Sequence, residues 1–147
     1  MKWYKSLLII FVIILIILFP FSIPIINNNI AYKTASHLKE IALPDKTEYV
    51  EMFSAAGNLV GNSNGMQYLG GILIKSDLPL AALRSYYSQY ANNEWECIVD
   101  SQRERIISLV EHSEFFLKTD VVEGNYYIVY SWGQSDFALS ALDLRAY

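Results

Sequence analysis

The run from Leu7 to Ile26 leaves this chain few options, because twenty residues pass without a charge and all but Pro20, Ser22 and Pro24 are Leu, Ile, Val or Phe. A helix of that length covers roughly 30 Å, the thickness of one hydrocarbon core. At about 0.3 to 0.6 kcal/mol for each strongly apolar residue, insertion into lipid is favoured by roughly 5 to 10 kcal/mol, an upper bound. Pro20 and Pro24 fall in its last third, so the reading is a loosened exit end and not a broken span. Membrane lipid is therefore the first expected partner, through residues 7–26. A short basic tail of residues 1–6 precedes them.

The competing reading is a cleaved signal peptide, with Lys2 and Lys5 as the basic start and Pro20 opening the cleavage region. Ser22-Ile23-Pro24-Ile25-Ile26 supplies no pair of small residues at an A-x-A spacing, and the apolar character continues to Ile26, so an uncleaved anchor fits better. A lipoprotein does not fit, since the sole cysteine is Cys97. Orientation is less constrained. Lys33 and Lys39 follow the run as Lys2 and Lys5 precede it, and the signal-anchor layout places the amino end inside and the rest of the chain outside. The expected location is the cell membrane, single-pass, with an extracytoplasmic domain.

Past the run about 120 residues remain, enough for one domain with a real core. They carry nine Lys and Arg against all fifteen Asp and Glu, a net charge of −6. Such an acidic domain repels phosphate backbones, which argues against nucleic acid as a partner. A lone cysteine forms no internal disulfide, so the fold must hold by packing.

Along this remainder, Asn27-Asn28-Asn29 reads as a polar break and a cap for a juxtamembrane helix over residues 30–42, ended by Pro44, within a linker of residues 27–44. The domain then occupies residues 45–147. Residues 47–60 and 66–75 read as a strand pair joined through Gly61-Asn62-Ser63-Asn64-Gly65, where Asn-Gly suits a tight hairpin. Gly70 and Gly71 leave a bare patch in the second strand, best explained by the following helix packing on them. That helix starts near Pro79 and runs to about Asn92, with Leu80, Leu83, Tyr87 and Tyr90 on one face and Tyr86 at its border. Trp95, Cys97 and Val99 alternate with Glu96 and Asp100 as a strand, which turns Cys97 inward as a structural thiol. Residues 102–113 fit a strand or a short helix. Residues 115–121 and 137–146 read as further strands, and 126–132, apolar on both faces, as a strand in the middle of the sheet. The expected fold is α+β: an N-terminal transmembrane helix, then an antiparallel sheet of about five or six strands packed on one main helix.

The search for chemistry yields little. No metal site or cofactor is expected, because the inventory of His37, His112 and Cys97 shows no ligand spacing. Glu111, His112 and Glu114 lie close together and form a weak binding candidate, although a solvated charged turn explains them as well. Tyr86 is the other candidate, as a contact residue. Ser36 and Lys39 reproduce the S-x-x-K spacing of penicillin-interacting enzymes, but the Ser-Asp-Asn and Lys-Thr-Gly elements are missing. No catalytic residue is assigned. The reading is a non-enzymatic binding or protein-interaction module held at the membrane; the alternative is a small envelope hydrolase whose acid and base meet only in the fold.

Overall fold

The computed structural model describes residues 3–62, 65–92, 96–121 and 124–147. Its longest element, α1 (Trp3–Glu40), runs 38 residues without interruption. The apolar first half stands clear of the rest of the chain and is long and apolar enough to cross a membrane. The second half is core. Ile23, Asn27, Ala31, Thr34, Ala35 and Leu38 recur every three or four residues on one buried stripe, the spacing of a helix face laid on another surface. The expected pause at Asn27–Asn29 and a separate helix over 30–42 are corrected accordingly. Asn27 lies inside the helix with its side chain paired, so nothing there ends it.

Among the described residues the sheet has four strands, β1 (Thr47–Gly57), β2 (Gln67–Ser76), β3 (Ile98–Ser101) and β4 (Tyr126–Gly133), all antiparallel in the order β1-β2-β4-β3. β4 is internal, as its two apolar faces require. The expected β1–β2 pair forms, with β1 ending at Gly57 and not at residue 60; the expected tight turn falls partly on Ser63 and Asn64, outside the described residues. The Trp95 position in the third expected strand also lies outside them. That strand begins only at Ile98, and Cys97 just before it is half-buried against the helix-side core.

Two expected strands are absent, which lowers the count from five or six to four. Residues 115–121 make one isolated bridge, Ile106 to Phe116, and the Glu51 carboxylate then accepts the backbone N–H of Lys118 and Thr119 at 3.1 and 2.9 Å. A side chain has taken the bonds a ladder would use. Residues 137–146 form two 3-10 turns, Ser140–Leu142 and Leu144–Ala146, the second capped by Asp143. The ambiguous 102–113 segment contains no regular helix or strand, but it buries Ile107 and Val110.

Each face of the sheet has its own cover. On one side the 107–121 segment packs Ile107, Val110, Leu117 and Val121 against Phe53, Leu69, Leu73, Ile128 and Tyr130. On the other, α1 and the short helix α2 (Leu80–Ser88) enclose Ile72, Ile74 and Val129 with Leu38, Leu83 and Tyr87. α1 touches β1, β2 and β4, while α2 lies beside β3. The main covering helix is therefore α1 and not the one after β2. The glycine patch follows from this. A Cβ on Gly70 would fall 2.4 Å from Ala35 N on α1, whereas one on Gly71, on the opposite face, would strike the Phe53 ring.

α2 ends earlier than expected, leaving Tyr90 outside it and partly exposed. Its two adjacent tyrosines differ in an instructive way. The Tyr86 hydroxyl donates to Ala42 O at 2.7 Å and fixes the chain where it leaves α1, while the Tyr87 hydroxyl is buried without a partner among the described residues. Burial pushes the Tyr87 hydroxyl's pKa well up. Tyr86→Phe should cost about 1 kcal/mol in urea unfolding, and Tyr87→Phe should be neutral or stabilising, since it removes an unpaired polar group and keeps the ring.

Candidate functional site

The point where α1 enters the domain carries a polar clamp. Asn27 and Asp143 are buried there; Asn27 Nδ2 donates to Asp143 Oδ2 at 2.9 Å, and the Tyr68 hydroxyl donates to Asn27 Oδ1 at 2.9 Å. Arg145 grips the same carboxylate with two bonds, Nε to Oδ1 at 3.0 Å and Nη2 to Oδ2 at 2.7 Å. Its remaining donors reach α1 directly, at Asn28 Oδ1 (2.8 Å) and Pro24 O (3.3 Å). The Arg145 guanidinium, helped by Asn27, holds the Asp143 carboxyl down at about 2 against the desolvation that opposes it. The clamp thereby ties the C-terminal segment to α1.

Beside the clamp runs the free edge of β1. The sheet order leaves that strand with one neighbour, β2. Just past its carboxyl end the C-terminal segment bonds to the connection toward β2: Asn58 N–H donates to Arg145 O at 2.6 Å, and Gly65 N–H to Ala146 O at 2.8 Å. From Glu51 to Ala56 the edge faces a groove instead. Three hollows of about 490, 400 and 380 Å³ adjoin along it, the first sharing Arg145 and Ser113 with the second and Tyr32 and Phe115 with the third. One wall is α1, with Asn28 and Tyr32; the other is the 113–118 segment, with Phe115 and Phe116. Tyr32 and Phe116 are half-exposed aromatics on opposite walls.

Of the residues singled out from sequence, Glu111 and His112 meet at one turn, and Glu114 and Tyr86 do not join them. Glu111 Oε2 accepts Gly61 N–H at 2.9 Å and His112 Nε2 bonds Gly61 O at 2.5 Å, so the pair fastens the turn after β1. Gly61 has a φ of 77°, which favours glycine at that turn. His112 also lines the hollow at the Arg145 end, with no Asp or Glu in that lining. Glu114 is exposed and does not join them. Tyr86 lies far along the chain's fold, at the exit of α1. Ser36 contacts Met52 Sδ at 3.9 Å and Lys39 lies over the Tyr49 ring at 4.9 Å, so the S-x-x-K pair is divided between two neighbours. Among the described residues no group of three or more His, Cys, Asp or Glu is placed to hold a metal ion.

No protein-family model, curated protein or solved structure matches this chain. A second cleft of about 520 Å³ gathers Thr34, His37, Gln134, Ser135 and Asp136. Its serine oxygen accepts Phe137 N–H at 3.1 Å and shapes the turn after β4.

Sequence reasoning missed Tyr68, Asn27, Asp143 and Arg145. A signal for the first half of the clamp was present: Ile23, Asn27, Ala31, Ala35 and Leu38 continue one helical stripe straight through the asparagines. Asp143 and Arg145 gave no such sign, because the contact spans more than a hundred residues of sequence.

Proposed function

We propose that this chain is a single-pass membrane protein, held by residues 7–26 with its basic amino end inside, whose outer domain binds an extended segment of a protein partner without catalysing a reaction. The observation that carries the reading is the β1 edge. Unpaired strand edges bind extended peptides by adding a strand, main-chain bonds giving affinity and flanking side chains giving selectivity. The C-terminal segment already bonds to this end of the chain at Asn58, and the groove from Glu51 to Ala56 extends the same edge between two aromatic walls. The anchor supports the reading in a second way, since α1 passes from the apolar run into the core without a linker and so presents the groove at a fixed height above the lipid.

The test is selection of displayed peptides against the full chain in lipid nanodiscs, followed by amide hydrogen exchange of the complex. Bound peptide should slow exchange within Met52–Ala56, and Tyr32→Ala with Phe116→Ala should weaken binding about tenfold or more, as aromatic anchors do. Peptides that protect other segments, or a selection that enriches nothing, would reject the β1 groove.

A further inference from the structure

The C-terminal segment lies beside the apolar run itself. Arg145 bonds to Pro24 O and Asn28, and Asp143 to Asn27, so residues 143–145 sit level with the last turn of the run. Ile23, inside the run, is only 2% exposed, while Phe21 and Ile25 on other faces of α1 are 69% and 68% exposed. Protein covers one face of the helix at that height and leaves the others open. The first 3-10 turn contacts α1 as well.

The outward side of this segment is apolar. Leu144 is 88% exposed and Leu142 61%, and Tyr147 follows at 68%. Leu144 lies between Asp143 and Arg145, whose bonds to Asn27 and Pro24 O keep it beside the last turn of the run. Exposed leucines cost nothing if they meet acyl chains, and a neighbouring tyrosine and arginine suit the headgroup boundary.

We infer that the two 3-10 turns form a lipid-contacting collar: Leu142 and Leu144 enter the outer boundary of the same bilayer that α1 crosses, and Tyr147 and Arg145 lie at its polar surface. The occupant is lipid because the exposed leucines belong to the segment that Asp143 and Arg145 tie to the end of the exposed apolar run. The inference rests on the reading of residues 7–26 as a span. The collar fixes the tilt of the domain as well as its height, since it adds a second point of contact beside the helix.

Single nitroxide labels in a Cys97→Ser background of the full chain, reconstituted in phosphatidylcholine vesicles, test this. Labels go at Leu144→Cys, at Phe21→Cys within the run, and at Asp77→Cys, an exposed site at the far end of α1. Collision with dissolved oxygen reports lipid, and collision with a water-soluble nickel chelate reports solvent. The collar predicts that the Leu144 label favours oxygen over nickel several-fold relative to Asp77, approaching the Phe21 value. A Phe21 label in lipid with a Leu144 label as nickel-accessible as Asp77 would overturn the collar and leave the span standing. Solvent exposure at both would remove the span and the collar together. A Leu144 label reached by neither reagent would show it covered by protein and would also overturn the collar.

Discussion

Gly70→Ala should destabilise the protein by about 3 kcal/mol, because the added methyl group meets backbone and not a movable side chain. The added Cβ would lie 2.4 Å from Ala35 N and 2.8 Å from Thr34 C, both backbone atoms of α1, so relief requires the whole helix to move off the sheet. Its neighbours calibrate the expectation. At Gly71 the obstacle is the Phe53 ring, and at Gly133 it is mainly Thr34 Oγ1 at 2.4 Å, a side-chain atom that can be removed. Gly133→Ala should therefore be rescued in large part by Thr34→Ala, whereas no single truncation should rescue Gly70→Ala. Urea unfolding of the full chain in detergent measures all three.

The second large effect is expected at Asp143. Asp143→Ala strands the buried Asn27 amide and frees Arg145, for an expected loss of about 2 to 3 kcal/mol. The same carboxylate gives stability a pH dependence. Its folded value of about 2 lies below the ordinary 3.8, so its contribution is complete above pH 4 and is lost as pH falls toward 2. The shift corresponds to about 2 kcal/mol at most, and the partial exposure of Arg145 reduces it toward 1 through solvent screening. Unfolding midpoints compared at pH 6 and pH 3 should fall less for Asp143→Asn than for the parent chain. An equal fall in both would assign the acid sensitivity to other carboxylates.

The parts of the fold legible in the sequence were those written in local periodicity. The apolar run, the β1–β2 pair and the internal position of β4 each follow from patterns in contiguous sequence. What failed was arbitration between local and distant partners. Asn27–Asn29 looks like a stop because asparagine caps helices, yet Asn27 is buried by Tyr68 and Asp143, which lie 41 and 116 residues away. Residues 115–121 alternate like a strand, but Glu51 takes the amides of Lys118 and Thr119 and ends the pairing. The glycine pair announced a close approach correctly and named the wrong helix, because spacing alone does not say which neighbour arrives. Of the candidate binding residues, Glu111 and His112 hold the Gly61 turn and Tyr86 holds the α1 exit, so all three have structural partners. The groove escaped notice because an edge is a property of strand order, which single-strand patterns do not encode.

Under the proposed function α1 is one rod, its first half in lipid and its second half in the domain core. Amide hydrogen exchange of the full chain in lipid nanodiscs reads both halves at once. A single rod should show unbroken protection from about Leu8 to Leu38, with Asn27, Asn28 and Asn29 as slow as Ala31 and Ala35. Rapid exchange at the three asparagines between two protected blocks would show a hinge, and rapid exchange across residues 8–19 would show that lipid does not hold the run; either result would contradict it.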